Sequence, residues 1–95
     1  MATLHLIQSS PYQTTALSRC LEQLHEKDAI LLLENGVYAT SISYQLTKKA
    51  STPCFALEAD LKARGIDQLD SSITVIDYKK FVELIAQFDN SLTWN

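Results

Sequence analysis

The run Ile30-Leu31-Leu32-Leu33 presents four apolar side chains and no polar face. A strand with one solvated side alternates polar and apolar residues, so an unbroken run predicts a strand covered on both sides. Glu34-Asn35-Gly36 then breaks the run and reads as a turn. Shorter segments at Thr3–Ile7, Cys54–Leu57 and Ile73–Ile76 also read as strands, and residues 29–33 make the second of four. Between them, apolar residues recur at helical spacing. Ala16, Leu17, Cys20, Leu21 and Leu24 form one stripe; Phe81, Val82, Leu84, Ile85 and Phe88 form another. Ser10-Pro11 with Gln13 predicts a capped start for the first helix, and His25-Glu26-Lys27-Asp28 its end. Residues 58–64 are good helix formers stopped by Gly65, and Asp77 caps the last helix. Residues 36–49 are less regular. They read as one or two helical turns and then a short helix toward Leu46, closed by Pro53. Residues 66–72 read as a polar loop, and Leu92-Thr93-Trp94-Asn95 as a tail.

Strands alternating with helices predict an α/β fold: a single small domain over residues 1–95, with an open, mostly parallel sheet of about four or five strands and helices on both faces. In such sheets ligands gather beyond the carboxyl ends of the strands, which directs attention to Glu34-Asn35-Gly36.

Composition narrows the classes. The chain has 95 residues, of which 46% are hydrophobic, with only 2 Gly and 2 Pro. A domain this small buries well under about 70% of its unfolded surface, so part of the apolar surplus can face another subunit. The net charge is −3, and the nearest thing to a basic run is Lys48-Lys49, which gives no electrostatic footprint for direct nucleic-acid binding. No stretch of 18 apolar residues predicts a membrane span, and the N-terminus lacks the pattern of a signal peptide. A cytoplasmic chain with Cys20 and Cys54 as reduced thiols is expected.

Gly36 and Gly65 stand alone, so no phosphate-binding loop is predicted. His5, His25, Cys20 and Cys54 fall on four separate elements, so neither a metal site nor a cofactor is expected. Cys20 has Arg19 beside it, as a nucleophilic thiol would want, yet it lies on an apolar stripe, as a packed residue would. Cys54 opens a buried strand and reads as packed. His5, between Leu4 and Leu6, reads as a hydrogen-bonded structural group. Asp60 and Arg64, four apart, form an ion pair worth ~0.5 kcal/mol. Tyr78 stacks at the sheet edge or at a contact. Trp94 requires cover, either by docking on its own domain or at a subunit contact.

Several segments carry a resemblance. Leu4-His5 followed by Ser10-Pro11-Tyr12, residues 31–39, residues 56–65, Ile76-Asp77-Tyr78 with Phe81-Val82, and Trp94 run in order along the chain. Together they resemble the TusB and DsrH proteins of the DsrE-like superfamily. The resemblance implies one of three related subunits, alongside TusC-like and TusD-like sisters, in a dimer of heterotrimers. Such a complex passes persulfide sulfur from a cysteine desulfurase pathway, through a downstream sulfur carrier protein, toward 2-thiolation of the tRNA wobble uridine. Related complexes act in sulfur oxidation. The resemblance also implies that the main sulfur-carrying cysteine belongs to a sister subunit. Cys20 falls where the DsrH branch has a cysteine and some TusB chains have none, which leaves it as the one candidate sulfur acceptor in this chain. A small regulatory module with a ligand beyond Gly36 is the alternative independent of the family.

Overall fold

Five strands hydrogen-bond side by side, all parallel, in a computed structural model that describes residues 2–40 and 52–95. In chain order the elements are β1 (Thr3–Ile7), α1 (Ala16–Glu22), β2 (Ala29–Leu32), a 3₁₀ helix (Glu34–Thr40), β3 (Cys54–Leu57), α2 (Glu58–Ala63), β4 (Ile73–Ile76), α3 (Tyr78–Gln87) and β5 (Asn90–Trp94). The sheet order is β4-β3-β2-β1-β5.

That order decides where the helices lie. From β1 to β4 each new strand is added on the same side, so right-handed crossovers place the connecting helices on one face. The step from β4 to β5 runs back across the sheet, and the same handedness sends α3 to the other face. The two halves of the core agree. On the first face Leu17 and Cys20 of α1, Val37 and Ala39 of the 3₁₀ helix and Leu61 of α2 pack on Ile7, Ile30, Leu32, Cys54, Ala56 and Ile73. On the second face Leu84 of α3 packs on Leu4, Ala29, Leu31 and Ile76. All four residues of β2 are buried, as expected of the central strand of a doubly covered sheet.

Three expectations need correction. The first helix starts at Ala16, not at Ser10-Pro11. Ser10 is instead consumed by a turn: its carbonyl accepts from the amides of Gln13 and Thr14, and its Oγ from the amide of Tyr12. The stripe of α3 is only partly core: Leu84 is buried, Phe81 and Phe88 are half-buried, but Val82 and Ile85 are exposed. The C-terminal tail is a strand, because β1 has a free edge on which Asn90–Trp94 pairs in register, His5 opposite Leu92 and Ile7 opposite Trp94.

Other features match. Asp77 caps α3 by accepting from the Lys80 amide at 2.8 Å, and Gly65 ends α2 at φ +65°. The 3₁₀ helix supplies the turns expected after Gly36; the short helix expected toward Leu46 lies outside the described residues.

Candidate functional site

Among the described residues, the polar groups singled out for chemistry fall into three clusters around the buried strands. The first is a chain of side chains across the middle of the molecule. Asp28, just before β2 and 1% exposed, accepts hydrogen bonds from the backbone amides of Thr3 at 2.9 Å and His25 at 3.1 Å. Its Oδ2 also lies 2.8 Å from Nε2 of His5, and Nδ1 of His5 lies 3.0 Å from Nε1 of Trp94. An indole N–H can only donate, so Nδ1 of His5 is the acceptor and Nε2 carries the proton toward Asp28. Burial opposes ionisation of Asp28, but the bonds from His5, Thr3 and His25 outweigh it and hold the carboxyl below the usual carboxylate range. Arg19 lies over the outer face of the Trp94 ring, 5.9 Å from its centroid, and donates to the Asn95 carbonyl. Trp94 thus finds its cover within its own chain.

The second cluster is the pair of thiols. Cys20 is fully buried, and burial together with the Asp28 charge pushes its pKa up to about 12. Cys54 is 8% exposed, and burial, with smaller contributions from Asp70 and Cys20, pushes it up to about 12 as well. At pH 7 such a thiol is ionised in only about one molecule in 10⁵, and the thiolate is the form that attacks a persulfide. Arg19, the cation beside Cys20 in sequence, is engaged by Trp94 and Asn95.

The third cluster is the turn after β2. Glu34 takes a left-handed φ of +51°, and its amide donates to Asp60 Oδ2 at 2.7 Å. Arg64 donates from Nε to Asn35 Oδ1 and lies 3.6 Å from Asp60. The expected Asp60–Arg64 pair is therefore present, and it also clamps the turn. Gly36 is required by close approach, since a Cβ there would lie 2.0 Å from the Ile7 carbonyl oxygen. Among the described residues no group of three His, Cys, Asp or Glu side chains is placed to hold a metal ion.

Sequence reasoning found His5, Cys20, Asp60, Arg64 and Trp94 one by one, but not the Asp28–His5–Trp94 chain, and it read Asp28 only as a helix end. The available signal was an acidic residue directly before an unbroken apolar strand, a place where it needs partners. No helix among the described residues is long and apolar enough to cross a membrane.

An all-parallel five-stranded α/β sheet in the order β4-β3-β2-β1-β5, with both thiols buried against it, defines a small protein of the DsrE-like fold. The chain belongs to the DsrH-like family, whose model matches residues 9–91. It is 35% identical over 96 residues to protein TusB of Pectobacterium carotovorum subsp. carotovorum, a match covering 96% of this chain and 99% of that one. Among solved structures, it superposes on YchN of Escherichia coli with a TM-score of 0.76 over 98% of this chain and 99% of that one, at 14% identity, which shows the fold alone. Protein Tm0979 of Thermotoga maritima gives a TM-score of 0.66 at 26% identity, over 92% of this chain and 93% of that one.

Proposed function

We propose that this chain is a scaffold subunit of a sulfur-relay complex that supports 2-thiolation of the tRNA wobble uridine. Residues 1–95 act as one domain, and the partners are TusC-like and TusD-like sister subunits in a dimer of heterotrimers, with a sulfur carrier protein downstream. The kinship with TusB proteins along nearly the whole chain supports the relay. The observation that carries the scaffold role is the burial of both thiols with pKa values near 12, which leaves neither as a ready persulfide acceptor in this fold. The sulfur-carrying cysteine then belongs to a sister, and this chain contributes contacts that place one persulfide near the next thiol.

The test uses tagged chain purified from its native cell, with the partners identified by mass, beside nucleoside analysis of bulk tRNA from a deletion strain. Co-purification of two sister subunits and loss of 2-thiouridine are expected. Unchanged 2-thiouridine would contradict the tRNA assignment and direct attention to sulfur oxidation. A second reading has Cys20 as a DsrH-type persulfide acceptor, as the resemblance of Ser18-Arg19-Cys20-Leu21 to the DsrH branch implies. It requires α1 to shift enough to bare Cys20, and a persulfide on Cys20 in intact-mass spectra of the complex after loading would establish it.

A further inference from the structure

Trp94 is held by a hydrogen bond whose direction is fixed. An indole N–H only donates, so the 3.0 Å contact with His5 Nδ1 exists only while that nitrogen keeps its lone pair. The other ring nitrogen is committed, since Nε2 gives its proton to Asp28 Oδ2 at 2.8 Å. A second proton on the imidazole therefore has one place to go, Nδ1. It turns the acceptor into a donor and sets two N–H groups head to head. The Asp28 bond survives that change as a charged pair; the Trp94 bond does not.

The surroundings decide which side gives way. His5 sits on β1 between β2 and β5 and is 4% exposed. Asp28 is tied to the amides of Thr3 and His25, so it cannot move alone. β5 is the edge strand, and its first four residues, Asn90 to Thr93, are exposed. Trp94 is half-buried at the margin of the first core, its ring tilted 36° to the imidazole. Arg19 stands over that ring, so a positive charge on His5 also meets a like charge across the indole. The mobile partner is Trp94.

Imidazoles take up a proton between about pH 8 and pH 5. The other groups around His5, among the described residues, keep their charge there. Asp28 is held below the carboxylate range, and Cys20 on α1 is pushed up to about 12. Cys54, two strands away, is pushed up to about 12 as well, and the Arg19 charge is permanent. β2 and β5 bring no titratable side chain. Asp89, before β5, accepts from the Ala2 amide at the far end of the strand, and the His25 ring is exposed. We propose that His5 and Trp94 form a pH-sensitive latch on the C-terminal strand: protonation of His5 expels the indole, frees the end of β5 and unties Arg19, while the Asp28–His5 contact and the rest of the sheet stay in place. The latch is a property of this chain alone and does not rest on the relay reading.

Trp94 is the only tryptophan, so the tryptophan fluorescence of the purified full chain reads the latch directly. As the pH falls from about 8 to 5, the emission is expected to move to the red and quenching by acrylamide to rise about twofold or more, in one step with the far-ultraviolet circular dichroism unchanged. Nitrogen chemical shifts of the His5 ring should show Nδ1 bare at the start and protonated with the same midpoint. His25→Gln should leave the step in place, and His5→Gln should remove it. Fluorescence that stays flat over this range would overturn the proposal. So would a step that persists in His5→Gln, or a protonated Nδ1 with Trp94 unmoved. The nitrogen shifts are read on the wild-type chain, so they decide the matter even where His5→Gln fails to fold.

Discussion

Asp28 is the residue on which most of the interior polar order converges. It satisfies the amides of Thr3 and His25 and the Nε2–H of His5, and His5 in turn receives the indole N–H of Trp94. Removing the carboxylate strands the buried Nε2–H of His5 and two part-buried amides, so Asp28→Ala is expected to cost about 3 kcal/mol, measured by urea unfolding. Trp94→Phe keeps a ring but loses one hydrogen bond and should cost about 1 kcal/mol. The pH dependence follows from the lowered pKa of Asp28. The folded state binds this proton less readily than the unfolded chain, so the stabilisation is fully present above the unfolded value of about 3.9 and is lost as pH falls through the lower folded value. Asp70 is held low by the amide and hydroxyl of Ser72 and acts with the same sign. The diagnostic is therefore the difference between wild type and Asp28→Asn, whose acid limb should be flatter. None of this chain of contacts was legible locally, because its members lie 23 and 89 residues apart. His5 and Trp94 each announced a need for a partner, but only the β1–β5 pairing brings them together.

At the scale of elements, legibility tracked how local the cause is. β2 and β3 follow from their own apolar runs, the start of α3 from the Asp77 side chain, and the end of α2 from Gly65. The start of α1 did not, because a Ser-Pro-x-Gln pattern serves a turn as well as a helix, and here the Ser10 carbonyl is taken by the turn. β5 did not either: Asn90, Ser91 and Thr93 lack the apolar run of an interior strand, and the free edge of β1 makes them one. The turn after β2 was read correctly as a turn, and the Asp60–Arg64 pair as a pair; that the pair clamps the turn was not legible, because the partners lie 26 and 29 residues apart. The two glycines, Gly36 in this turn and Gly65 at the end of α2, separate cleanly. Gly36→Ala drives a Cβ into the Ile7 carbonyl and should cost more than about 3 kcal/mol, since backbone must move. Gly65→Ala meets open space and bears only the cost of a left-handed φ, about 1 kcal/mol. Thermal unfolding of the two variants side by side checks the ranking; equal losses would contradict it.

For the whole molecule, an all-parallel sheet buries both cysteine thiols and, among the described residues, ties Asp28 to His5 and the turn after β2 to Asp60 and Arg64. Both cysteines should therefore be almost inert to an aromatic disulfide reagent in the folded chain and react only at the rate of opening, faster in urea. Rapid native-state labelling of Cys20 would show that α1 is more open than its packing indicates. The family and the parallel α/β architecture were within reach of the sequence, through ordered short segments and one unbroken strand. The burial of Cys20 was legible too, from its place on the apolar stripe of α1; the engagement of Arg19 by Trp94 and Asn95 was not, since those residues lie at the far end of the chain.

The central claim is that this chain serves a sulfur relay through contacts and not through its own thiols. A deletion strain complemented with a chain carrying both Cys20→Ala and Cys54→Ala tests it most directly, with 2-thiouridine in bulk tRNA read by mass spectrometry. Each substitution should cost only about 1 kcal/mol, so the cysteine-free chain is expected to fold. Recovery of 2-thiouridine to the level given by the wild-type chain is the predicted result. A cysteine-free chain that accumulates normally and still assembles with its sisters, yet leaves the tRNA unthiolated, would contradict the account.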